Sequence, residues 1–139
     1  MPFHAEQHIN CSTERAFDLM ADARNEKTWN SQVSRSDLLS GEPVGLGSRF
    51  STVNRGQEYA ATISIYERPH RVAFAVAGKQ MDISASFDMH EHDGTTHMLG
   101  EFDFRPKGPM RFVFPLLAPM VKRDLQKQSA SFKTLCERA

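Results

Sequence analysis

The last third of the chain constrains the fold more than any other part. Seven strand-like segments end at Phe104-Arg105, and Pro106-Lys107-Gly108-Pro109 breaks the pattern. A helix-like run then fills Met110 to Ala139. A lone long helix behind a nearly all-β body must bury its apolar face on that body. A curved antiparallel sheet offers the surface, and a helix laid over such a sheet tends to leave a cavity beneath it. The length of 139 residues is expected to give a single domain, residues 1–139, with a core of its own.

Period-two alternation marks the strands. Phe3 to Cys11 places Phe3, Ala5, Ile9 and Cys11 on one face, with Gln7 the exception. Ser12 is a good N-cap for a helix that buries Phe17 and Met20, and Glu14 stands in its first turn. A second short helix, about Asn25 to Asn30, carries the only tryptophan, Trp29. Six more strands are expected at Val33–Leu39, Ser48–Arg55, Glu58–Glu67, Arg71–Ala77, Gln80–His90 and Thr95–Arg105. Their links are hairpin-sized, with Asn54-Arg55-Gly56-Gln57 and Asp93-Gly94 the strongest turn signals. Short links predict a sequential antiparallel meander.

The closing helix has two characters. Met110 to Val121 is apolar nearly all round, with Pro115 expected in the first helical turn and Pro119 a source of a kink. Beyond it the pattern is amphipathic, with Leu117, Val121, Leu125, Gln128, Phe132 and Leu135 at three- and four-residue spacings.

Charge narrows the function classes. Lys+Arg and Asp+Glu both number 17, so nothing steers the whole molecule toward nucleic acid. No window is apolar enough to span a membrane, so no integral membrane association is expected. Met1 to Glu6 has no basic stretch leading into an apolar core, so no signal peptide is expected, and the expected location is the cytoplasm. Cys11 and Cys136 have no reactive partner in local sequence and are expected to be ordinary buried thiols.

The order of elements resembles the START-like superfamily, which includes the birch-pollen-allergen type and the bacterial polyketide cyclase/dehydrase and lipid-transport proteins. The matching features run along essentially the whole chain. They are Ser12 before Ala16-Phe17, Trp29 closing the second helix, the Gly45-x-Gly47-Ser48-Arg49 entry to a strand, and Tyr66-Glu67-Arg68-Pro69-His70-Arg71 before an apolar strand. The resemblance implies an α+β helix-grip fold, with about seven strands wrapped around the long helix and an apolar cavity between them. It implies little about activity, because members include ligand carriers, aromatase/cyclases, chaperone activators and quinone-binding proteins.

The expected cavity wall is Phe74, Met81, Ile83, Phe87, Phe102 and Phe104 from the strands, with Ile63 behind them. Trp29, Phe50 and Tyr59 are expected around the entrance, and Phe112, Leu116 and Met120 over it. Such a lining gains about 25 cal/mol for each Å² of apolar ligand surface taken from water. The competing expectation is a core filled by ten Phe. Tyr59 shares parity with Ile63 and Ile65 while Tyr66 does not, so Tyr59 is the expected inward hydroxyl. The inward parities of the last three strands carry no His, Asp or Glu, so no catalytic residue is assigned. His90-Glu91-His92-Asp93 with His97 is the only metal-like cluster and reads as a solvated hairpin, so no metal or cofactor is assigned.

Three functions follow. The first is binding, with transport as one form of it, of an apolar small molecule such as a lipid, a polyketide-like aromatic or a quinone in a cavity between the sheet and the closing helix. The second is a cyclase or aromatase, whose cue would be Tyr59 beside an inward Arg, Gln or acid. The third is a protein-interaction module, with a homodimer among its forms. Phe112 to Val121 followed by Lys122-Arg123 also suits a transient membrane contact. Its short length and few basic residues favour instead a role covering the cavity and packing on Trp29.

Overall fold

The computed structural model describes residues 1–138. Strand β1 (Pro2–Ile9) leads into helix α1 (Thr13–Ala21), a 3₁₀ turn (Ala23–Asn25) and the short helix α2 (Glu26–Trp29). Strands β2 (Val33–Leu38), β3 (Arg49–Asn54), β4 (Gln57–Glu67), β5 (Arg71–Gly78), β6 (Met81–His92) and β7 (Thr95–Pro106) follow, and helix α3 (Met110–Glu137) closes the chain. The expected last helical residue, Ala139, lies outside the described residues.

The seven strands form one antiparallel sheet in the order β1-β7-β6-β5-β4-β3-β2. The meander from β2 to β7 is sequential, and β1 pairs along β7 from Pro2↔Asp103 to Ile9↔Thr96. The two tightest hairpins use Arg55-Gly56 and Asp93-Gly94, all four at positive φ. That conformation matches the twist of the flanking strands, which is why Gly follows in both.

Local chemistry starts the helices. Ser12 Oγ accepts a hydrogen bond from the Arg15 backbone N–H at 3.2 Å, and Asp22 Oδ1 accepts from Arg24 N–H at 3.1 Å. The core gathers Phe17 and Met20 of α1, Phe50 of β3, Ile63 of β4, Val72 of β5, Met89 of β6 and Phe132 of α3.

Two features depart from the sequence reading. Helix α3 begins at Met110, so Pro115 lies in its second turn, and both Pro115 and Pro119 are internal. Neither proline can donate to the carbonyl four residues back, so those of Arg111 and Pro115 lose their intrahelical partner. In β4 a bulge between Ile63 and Ile65 inserts an extra residue and reverses the parity beyond it. Tyr66 therefore turns inward and packs edge-on against Phe17, with ring centroids 5.2 Å apart.

Candidate functional site

A partly enclosed cavity of about 380 Å³ lies between α3 and the sheet. Its sheet wall is Phe74, Met81, Ile83, Phe87, Phe102 and Phe104. The helix wall is Phe114, Leu117, Val121 and Leu125. Gly100, opposite Phe87 in the register, makes space for the rings: a Cβ there would come within 3.3 Å of Phe102 and 3.4 Å of Phe87. Those two rings meet edge to face at 5.5 Å. Trp29 and Tyr59 also line the space, and Met120, 37% exposed, stands where it meets solvent. Burial raises the Tyr59 pKa, so its hydroxyl stays protonated at neutral pH. Its ring lies across Gly78, where a Cβ would come within 2.5 Å of it.

Four expected lining residues stand elsewhere. Phe50 and Ile63 are fully buried in the core with Phe17 and Met20, because α1 closes over that end of the sheet. Phe112 and Leu116 are 76% and 81% exposed. Each is two residues from the buried Phe114, which puts it about 200° away around the helix. Trp29 does not pack under this half of α3 either; it meets Phe132 edge to face at 5.4 Å.

The sequence reading also missed the cavity's polar end. Glu26 and Asn30 from α2 and its C-cap, Gln32 before β2, Thr52 and Asn54 on β3, and Asp124 and Gln128 on α3 all reach the same space. Asp124 forms an ion pair with Arg55 of the β3–β4 turn. Gln128 Nε2 points at Gln32 Oε1 across 3.5 Å. Asn30 Nδ2 donates to Glu26 Oε2 at 3.3 Å and is the only hydrogen-bond donor to that carboxyl among the described residues. Burial pushes the Glu26 pKa up to about 6, and the Asn30 hydrogen bond only partly opposes it. The available signal was Gln128, a polar residue inside an otherwise apolar stripe. Glu26 and Asn30, four apart on one short helix, gave no comparable cue.

Away from the cavity, Cys11 and Cys136 come together where α1 and α3 meet, and Cys11 Sγ donates to the Ser12 carbonyl at 3.4 Å. Burial pushes the Cys136 thiol up to about 12, which suppresses the reactive thiolate. His97 lies opposite both His8 and His90 in the sheet register. It stacks on His8 at 4.8 Å and pairs with Glu6.

The α+β sheet with its long closing helix, and the cavity held between them, define a protein of the START-like class. The chain belongs to the family described as polyketide cyclase/dehydrase and lipid transport, whose model matches residues 2–137. Solved structures agree on the fold. A START superfamily protein from Mycobacterium smegmatis superposes with a TM-score of 0.78 at 14% identity, covering 98% of this chain and 97% of that one. The Zhui aromatase/cyclase from Streptomyces sp. R1128 gives 0.82 at 11% identity, covering 99% and 94%. A conserved protein from Geobacillus kaustophilus gives 0.76 at 10% identity, covering 98% and 95%. No curated protein sequence matches the chain.

Proposed function

We propose that residues 1–139 form one START-like domain of the cytoplasm that binds, and carries, an apolar small molecule between the sheet and α3. The observation that supports this reading is the cavity of about 380 Å³ with its aromatic and aliphatic walls. That volume falls within the range of about 300–1,000 Å³ common to small-molecule sites. Lipids, polyketide-like aromatics and quinones all fit the lining. Native mass spectrometry of gently extracted protein, joined to a thermal-shift screen of fatty acids and flat aromatics, tests it. A co-purifying compound or a rise in Tm is expected. No retained compound and no shift across the screen would overturn the reading.

Loading from a bilayer suits the outer side of α3. Phe112, Val113 and Leu116 are exposed beside Met120 at the cavity mouth. Residues 104–123 contain five Lys and Arg and no Asp or Glu. A transient contact with an anionic surface follows from such a pairing of apolar and basic groups. The same face would serve a homodimer, which sizing chromatography distinguishes. Among the described residues no helix is long and apolar enough to cross a membrane.

A second reading, a cyclase or aromatase, is favoured by one observation. Tyr59, Gln32, Gln128, Glu26 and the Arg55–Asp124 pair line one cavity. These supply a carboxyl for proton transfer and donors for an enolate oxygen. Turnover of a poly-β-keto thioester, lost in a Glu26→Gln variant, would separate this reading from simple carriage.

A further inference from the structure

We infer that Glu26 makes the polar end of the cavity a site for a hydrogen-bond donor, so that the preferred ligand is an apolar molecule bearing a hydroxyl on its buried end. The inference rests on the cavity-binding reading above and adds the chemistry of the group that meets the protein.

The argument begins with what the Glu26 carboxyl lacks. An ionised carboxylate offers about four acceptor positions, and Asn30 Nδ2 fills one. Nearby cations are engaged elsewhere. Arg24 of the 3₁₀ turn is held by Asp22 and Glu42, and Arg55 of the β3–β4 turn by Asp124 of α3. Lys27, next on α2, is exposed to solvent. Of the other groups around this end, the Gln128 amide is directed at Gln32. Glu26 is therefore a half-buried acceptor with unused capacity on the wall of a largely apolar space. A ligand hydroxyl entering there donates to it, while the ring or chain behind occupies the apolar walls. An ether or ketone brings no donor to Glu26; its oxygen could accept only from a donor such as the Trp29 indole N–H, buried on the same wall with no partner among the described residues, and would leave the carboxyl unmatched.

A sign follows. A donor favours the ionised carboxyl, so its binding lowers the pKa of a group that burial holds at about 6. Affinity for the hydroxyl compound should then weaken as pH falls through that value. Binding should also release a fraction of a proton there.

A matched pair of probes tests this: 2-naphthol and 2-methoxynaphthalene, titrated by calorimetry into the wild-type protein from about pH 5 to about pH 8. At the upper pH the naphthol should bind about tenfold tighter, the size expected for one hydrogen bond to a charged group. The ratio should fall toward one at the lower pH. The Glu26→Gln variant, which removes a half-buried charge and should fold, is expected to bind both compounds with a ratio that no longer follows pH. If the ether binds and the wild-type ratio stays near one at every pH, the hydroxyl site is overturned while the cavity reading stands. A pH-dependent ratio that survives in the variant also overturns it. If neither compound binds, the cavity reading fails and takes this inference with it.

Discussion

The two halves of α3 differ in composition, the first apolar nearly all round and the second amphipathic, and the more apolar half is the less buried. In the C-terminal half, Phe132 and Cys136 are 0% and 1% exposed. Arg15 of α1 donates to the carbonyls of Cys136, Leu135 and Arg138 at 2.8–3.3 Å, satisfying acceptors that a helix end leaves open. In the N-terminal half, Phe114 is the one buried residue, stacked on Phe104 at 5.5 Å and edge-on to Phe3 at 6.5 Å. Phe112 and Leu116 face solvent, and two prolines interrupt the hydrogen-bond ladder. One half is clamped at its side chains and at its terminal carbonyls. The other is held by a single buried aromatic side chain, Phe114, above the cavity. The difference separates anchoring from access within one continuous helix.

The largest effect expected from breaking this contrast is Phe132→Ala. Removing a fully buried ring that also supports Trp29 should cost about 3–5 kcal/mol. Chemical denaturation of the two proteins measures it. A loss below about 1 kcal/mol would mean that the C-terminal half is not the anchor.

Next in size is Glu26→Gln, at the seam where the polar residues of α3 begin. The folded-state pKa of Glu26 is raised from 4.5 to about 6, so the native state holds this proton more tightly than the unfolded chain does. The stability tied to that proton is complete below about pH 4.5 and is lost as pH rises through about 6. The variant keeps a neutral side chain at every pH. It should therefore gain up to about 2 kcal/mol over wild type at about pH 8 and little at about pH 4. Equal stability changes at the two pH values would show that Glu26 is not held at a raised pKa.

Much of the fold was legible because its signals are local. Alternation in β5, β6 and β7, the two Gly-containing hairpins and the Ser12 cap each follow from a few neighbouring residues. The aromatic wall was legible for the same reason, since strand parity assigns Phe74, Phe87, Phe102 and Phe104 to one face. What failed depended on distant partners. The bulge after Ile63 reversed the facing of Tyr66, and no local residue announces it. Glu26 became a cavity residue only because α2, β2 and α3 converge on it. The two cysteines, 125 positions apart, meet only once α1 and α3 are packed. Phe112 and Leu116 were misplaced for another reason: in a run apolar all round, composition cannot choose a face, and only Phe114 fixed the rotation of the helix.

The smallest expected effect on stability carries the sharpest test of the contrast. Leu116→Ser removes an apolar side chain that is 81% exposed, so the folded state loses little packing and stability should stay within about 0.5 kcal/mol of wild type. Amides in the first half of α3 should exchange on the order of a hundredfold faster than those from Leu125 to Phe132, because fewer buried contacts oppose local opening. Vesicle flotation should respond where stability does not. Wild-type protein is expected to float with phosphatidylcholine vesicles containing phosphatidylglycerol, and less so as salt is raised, since Arg111, Lys122 and Arg123 make no ion pair among the described residues. Leu116→Ser should reduce flotation without changing Tm. If instead it lowers Tm by several degrees and leaves flotation intact, Leu116 is packed, and the N-terminal half of α3 is a second anchor rather than the access side of the cavity.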